Sequence, residues 1–184
     1  MKRSYIIIGA IVGVIGIIFI TYISIYNKAV SLQEKVDEKW ANVQSAYQRR
    51  ADLVPQLVET VKGAAKNEKD ILTQVTNARA GIVNAKTPED MEIAGKKINT
   101  AINLAFEAYP QIRSTENFSK LQEQLEGSEN RIKQERDLYN ESVKEYNTSI
   151  RGFFASMFLN SETFPKKTGF KAAAGSENAP KVQF

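Results

Sequence analysis

From Trp40 to Gly63 the chain reads WANVQSAYQRRADLVPQLVETVKG, and this stretch decides the fold. With the residue one turn before it, it sets Val36, Trp40, Val43, Tyr47, Arg50, Val54, Leu57 and Val61 at alternating steps of four and three. That spacing lays them on one narrow stripe of a helix, the seam that packs against partner helices. All are apolar or aromatic except Arg50, a cation at a core position. Pro55 removes a backbone donor inside the run and predicts a kink around Ala51–Pro55. The other reading of the same residues is a fresh helix that begins at Leu53 and is capped by Asp52.

Toward the N-terminus, Tyr5 to Tyr26 reads YIIIGAIVGVIGIIFITYISIY, 22 residues without a charge. At about 1.5 Å per helical residue this spans roughly 33 Å, the thickness of a bilayer core. Tyr5, Tyr22 and Tyr26 sit near its ends, where aromatic belts form. The run is too long for a cleaved signal and lacks a small-x-small cleavage site, so a retained transmembrane helix is expected. Lys2 and Arg3 precede it, while Lys28, Lys35 and Lys39 follow more sparsely, which favours an N-inside, C-outside arrangement. No Gly, Pro or Ser linker follows Asn27, so the first soluble helix continues the anchor.

Toward the C-terminus, a second helix shows an apolar face of Ile71, Leu72, Val75, Ala78, Ile82 and Val83. Thr87-Pro88-Glu89-Asp90 is a start signal: an N-cap threonine, proline at the first helical position and acids in the first turn. The third helix then buries Met91, Ala94, Ile98, Ala101, Ile102 and Ala105, and Tyr109-Pro110 closes it. Ser114 or Thr115 caps the fourth helix. Its seam runs Phe118, Leu121, Leu125, Ser128, Ile132, Glu135, Tyr139, Val143, Tyr146, Ile150 and Phe153.

The expected fold is therefore all-α: an N-terminal transmembrane helix followed by an antiparallel four-helix bundle with long first and fourth helices. Residues 1–26 form the tail and anchor, and 27–154 the bundle, with helices at about 27–62, 66–85, 88–108 and 115–152. Residues 155–184 form a partly mobile tail. The shorter middle hairpin leaves the membrane-proximal half either a bare two-helix stalk or a seam that meets other copies. In such a bundle helices one and four are antiparallel neighbours, and Arg50 falls opposite Ile132, within a turn of Glu135. Either Arg50 and Glu135 form a buried pair that fixes register, or Arg50 extends to solvent.

Composition narrows the chemistry. The 184 residues hold 25 Lys and Arg against 21 Asp and Glu, too balanced for a nucleic-acid interface. Absent cysteine removes disulfides and thiolates, and absent histidine removes the commonest general base and metal ligand. No catalytic constellation, cofactor or metal site is expected; di-iron bundles rely on Glu-x-x-His motifs. Tyr139-Asn140 and Tyr146-Asn147 repeat seven residues apart on one face. They read as core packing in which hydroxyls and amides satisfy one another, with a ligand surface as the alternative. Phe153, Phe154 and Phe158 belong to an apolar cluster. It serves either the membrane interface or a subunit contact, or else folds over the bundle end.

The block from Trp40 through Tyr47, Arg49, Arg50, Asp52 and Pro55 to Gly63 resembles the signature of the LemA family of bacterial membrane proteins. So do Ala108-Tyr-Pro110, Glu116-Asn-Phe118, Glu129-Asn-Arg-Ile132, Tyr139-Asn140, Tyr146-Asn147, Gly169-Phe170 and the ending Pro180-Lys-Val-Gln-Phe184. The chain departs from that pattern at Ala64, Asn67 and Glu135. The resemblance implies a single-pass inner-membrane protein with a four-helix soluble domain and no established enzyme activity. The expected function is a structural, scaffolding or interaction role with self-association. The alternative is a membrane-tethered sensory or ligand-binding module that works through a separate partner. Expected partners are the lipid bilayer, further copies of the chain and other membrane proteins, with no nucleic acid.

Overall fold

A computed structural model of the chain describes residues 2–60, 68–108 and 116–171. The expected break at Gly63, the closing Tyr109-Pro110, the cap at Ser114 or Thr115 and the final Pro180–Phe184 lie outside the described residues. So do Val61, Ala64 and Asn67 and the side chains of Leu57, Ile71, Leu72, Val75, Ala105 and Phe118.

Helix α1 spans Lys2–Thr60, α2 Glu68–Asn84, α3 Pro88–Ala108, α4 Glu116–Ile150 and the short α5 Phe153–Phe158. The fold is all-α, with no strand among the described residues. Helix α1 passes through Pro55 without ending, so no fresh helix starts at Leu53. Its first half is long and apolar enough to cross a membrane. Two compact units divide the chain: Met1–Ala41 with Glu141–Lys167, and Asn42–Asn140 with Thr168–Phe184.

In the first unit Ala29, Leu32 and Val36 on α1 and Val143 and Tyr146 on α4 are buried. An ion pair of 2.7 Å between Lys35 and Glu145 joins the two helices at their solvent edge. The expected bare stalk is not found. The residues after α5 return as an extended strap, in which Phe164 is buried and packs edge-on against Tyr26, with ring centroids 5.4 Å apart. The Tyr146 hydroxyl donates to the Pro165 carbonyl at 3.1 Å, and the Lys167 ammonium reaches Asp37 at 3.0 Å. An apolar seam without a third helix still has to be shielded from water, and the chain's own strap shields it. Phe153 does not extend the α4 seam: α4 stops at Ile150, and Gly152, in extended conformation, opens α5 instead.

The second unit draws its core from four helical segments. Val43, Tyr47, Ala51 and Val54 come from α1, and Ala78 and Ile82 from α2. Met91, Ala94, Ile98 and Ala101 come from α3, and Leu121, Leu125 and Ile132 from α4. Helices α2 and α3 pack closely: a methyl group placed on Gly81 would stand 3.3 Å from the Ala94 side chain. Glycine and alanine along this contact allow the approach, which offsets the intrinsic helix cost of Gly81. Val83, expected on the apolar face, is instead exposed. Between these helices Thr87 and Asp90 form the expected cap. The Asp90 amide donates to the Thr87 hydroxyl oxygen at 3.2 Å, and the Thr87 amide donates back to the Asp90 carboxylate at 3.1 Å. That hydroxyl, together with the backbone amides of Lys86 and Thr87, holds the Asp90 carboxyl below its usual range.

Candidate functional site

Arg50, the cation on the α1 stripe, decides the shape of the second unit. Its side chain is only 12% exposed. Nε donates to Asn99 Oδ1 on α3 at 3.0 Å, and one terminal nitrogen donates to the Leu125 carbonyl at 2.8 Å and to Ser128 Oγ at 2.9 Å. The Glu129 carboxylate lies 3.1 Å from the same nitrogen. Arg50 thus ties three helices together. Neither expected arrangement is found: Arg50 does not extend to solvent, and Glu135 is buried with its carboxylate on Arg131 of its own helix at 2.9 Å, one turn away. A pair within one helix satisfies that carboxylate without any cross-helix cation. Arg50 accordingly meets α4 about one turn nearer the helix start than a simple antiparallel register predicts. Burial pushes the Arg50 guanidinium below its ordinary pKa, and the Glu129 carboxylate opposes that effect.

Beside Arg50, the buried ring of Tyr47 lies against Gly95 of α3. A methyl group on that glycine would sit 2.5 Å from Tyr47 Cε1, so only glycine leaves room for the ring. On the other side Arg136 pairs with Glu92 at 2.7 Å and stacks over Phe170, its guanidinium carbon 4.5 Å from the ring centroid. Phe170 in turn packs edge-on against Tyr139. Tyr47, Arg50, Glu92, Gly95 and Arg136 line an open cleft of about 770 Å³, to which Lys96, Ile132, Thr168, Gly169 and Lys171 also contribute. A volume of that order suits a small molecule or the tip of a peptide. The walls carry cations and carboxylates together with tyrosine and aliphatic surface, an arrangement suited to recognition.

The paired Tyr-Asn repeats do something the sequence reading missed. Tyr139 donates to the Thr168 carbonyl at 3.0 Å, and Asn140 forms a two-way amide pair with Phe170. Its Nδ2 donates to the Phe170 carbonyl at 3.2 Å, and the Phe170 amide donates to Asn140 Oδ1 at 2.7 Å. In the first unit Tyr146 bonds to Pro165, and Asn147 repeats the pair on Lys167, at 2.8 and 3.0 Å. Hydroxyls and amides satisfy strap backbone rather than one another. Gly169 is required by close approach, since a methyl group there would stand 2.6 Å from Asn140 Oδ1. Gly169 and Phe170 are thus held by the helix rather than belonging to a mobile tail.

The other residues singled out by sequence lie elsewhere. Asp52 pairs with Arg79 on α2, Arg49 is exposed and Pro55 is half-buried. Trp40 is half-buried in the first unit, where Phe153 and Phe154 are exposed and Phe158 is half-buried. Of the expected set, the cleft gathers Tyr47 and Arg50. Glu92, Lys96 and Arg136 were missed because they flank the apolar seams and look like ordinary solvated charges.

A family model described as LemA family matches residues 39–184. The chain belongs to the LemA family. Protein LemA of Metamycoplasma hominis is 21% identical over 146 residues, covering 77% of this chain and 67% of that relative. The LemA match takes in Trp40, the Arg50 tether, the cleft, α5 and both Tyr-Asn clamps, and it leaves the apolar run Tyr5–Tyr26 outside.

Burial pushes the Tyr47 phenol above its ordinary value of 10.0, with Arg136 partly opposing, and burial does the same to Tyr146. A pKa raised in the folded state gives stability that is complete below the unfolded value and is lost as pH rises through the folded one. Stability of this LemA chain should therefore fall above pH 10, by at most about 1.4 kcal/mol per pH unit per tyrosine. Urea titrations between pH 9 and 12 check this. Tyr47→Phe should flatten the decline, and a decline unchanged in both Tyr47→Phe and Tyr146→Phe would assign it to other groups.

Proposed function

We propose that this chain is a membrane-anchored interaction protein whose cleft is the recognition surface. The observation that carries the reading is α1 itself. One unbroken helix, Lys2–Thr60, contains both the apolar run and the cleft residues Tyr47 and Arg50. A site on the anchor helix is tethered to the bilayer without a linker, which suits an organising role more than a diffusing one. The membrane we assign is the bacterial cytoplasmic membrane, crossed once with the N-terminus inside, on the charge density of Lys2 and Arg3. The strap covers the seam of the first unit, so self-association has to use other surfaces.

A second reading, a sensor of a small ligand, is favoured by the cleft volume. Cross-linking separates the two. A photoreactive residue in place of the exposed Lys96, in membranes containing the full chain, should form a discrete protein adduct if the cleft recognises a protein. That adduct includes the homodimer if copies meet there. A cleft without adducts, together with a ligand-dependent rise in unfolding temperature, would favour the sensor. Val14→Asp with Ile18→Asp adds about 5–7 kcal/mol to insertion and should release the chain from carbonate-washed membranes. Retention of that variant would remove the anchor.

A further inference from the structure

The first unit exposes an apolar surface that the strap does not cover. On α5, Ala155 faces inward and is buried, while Phe153, Phe154 and Met157 are 75%, 58% and 64% exposed. Phe158, at the end of the same helix, packs edge-on against Tyr22 of α1, with ring centroids 5.9 Å apart. Tyr22 in turn neighbours Tyr26 at 6.1 Å. Those two tyrosines close the charge-free run that begins at Tyr5. Helix α5 therefore stands beside the end of the charge-free run.

We propose that α5 inserts into the lipid surface, with Phe153, Phe154 and Met157 in the boundary between acyl chains and headgroups. This rests on the anchoring of Tyr5–Tyr26 proposed above. Aromatic side chains are at home at that depth, and the exposed Arg151 just before α5 can direct its long side chain toward phosphate. A second copy is the less suitable occupant. A stable protein interface needs roughly 20 or more residues a side, far more than three side chains on one short helix supply. A lone transmembrane helix leaves its tilt and rotation to its surroundings, and a second contact restricts both. Helix α5 thus fixes the orientation in which the anchor helix leaves the membrane.

The chain has no cysteine, so single thiols can be placed cleanly. Full-length variants Val14→Cys, Phe154→Cys, Met157→Cys and Lys97→Cys would be labelled with an environment-sensitive dye. They would then be reconstituted in phosphatidylethanolamine–phosphatidylglycerol vesicles. Lipids spin-labelled near the headgroup or deep in the acyl chain serve as quenchers, with iodide as the aqueous quencher. The expected result is loss of fluorescence at Val14→Cys to the deep label, at Phe154→Cys and Met157→Cys to the shallow label, and at Lys97→Cys to iodide alone. Quenching of both α5 positions by iodide, with Val14→Cys still quenched by lipid, overturns α5 insertion and leaves the anchor intact. A Val14→Cys probe that lipid does not quench overturns the anchor and the insertion together. Shielding of the α5 probes from lipid and iodide alike, with disulfide-linked dimers forming through Phe154→Cys, assigns the surface to a second copy and also overturns the proposal.

Discussion

Replacing Arg50 by alanine is expected to lower the unfolding free energy of the chain by about 3 kcal/mol. Two losses add up. The guanidinium donates to Asn99, Leu125 and Ser128 from a largely enclosed position, and hydrogen bonds to charged groups contribute about 1.5–3 kcal/mol. The buried stem also leaves a gap among three helices, which cores fill only in part. Arg50→Met separates the two, because methionine restores most of the stem and none of the hydrogen bonds, and it should recover about half the loss. Glu129→Gln should cost under about 1 kcal/mol, since that carboxylate is 57% exposed and solvent screens the pair. Urea unfolding of the full chain in detergent, followed by circular dichroism, measures all three. A double-mutant cycle between Arg50 and Glu135 should be additive to within about 0.5 kcal/mol. A larger coupling would revive the pair that the structure replaces.

The second large effect is expected at the strap. Asn140→Asp keeps an acceptor for the Phe170 amide but turns the donor facing the Phe170 carbonyl into a second oxygen. Loss of one hydrogen bond with two acceptors left facing each other should cost about 2 kcal/mol of local opening. That is roughly a thirtyfold loss of hydrogen-exchange protection at the Phe170 amide. Protonation of the new carboxyl restores a donor, so protection should recover as the solution is acidified, a signature that a packing defect would not show. Asn147→Asp should do the same at Lys167, where the amide pair is repeated. Protection unchanged by both variants would mean that ring packing of Phe164 and Phe170 alone holds the strap. Opening at Phe170 also removes Thr168 and Gly169 from the cleft wall, so the same variant should weaken any adduct formed there.

Much of this architecture was legible in the chain. The four-three stripe on α1, the apolar face of α3 and the seam of α4 each rest on helical periodicity, a local property that burial then rewards. The Thr87–Asp90 cap was readable for the same reason, because donor and acceptor lie within one turn. The cleft was less so. Tyr47 and Arg50 were visible as unusual seam residues, whereas Glu92 and Arg136 acquire meaning only when α3 and α4 come together. The Tyr-Asn repeat announced a regular device without naming its substrate, because the groups it binds are backbone amides and carbonyls, which carry no sequence signal.

Sequence by itself determined that the chain is helical, which faces of the helices are apolar, and that one helix is apolar and long enough for a bilayer. Each follows from spacing along a single element. Only the tertiary structure decided what those faces meet. It gave Arg50 to Asn99, Ser128 and Glu129 rather than to Glu135, because the buried carboxylate found a cation on its own helix. It also covered the expected stalk with the strap, because Phe164 was free in sequence to fold back on Tyr26. Partner choice among distant groups depends on three-dimensional register and competition. Periodicity sets neither.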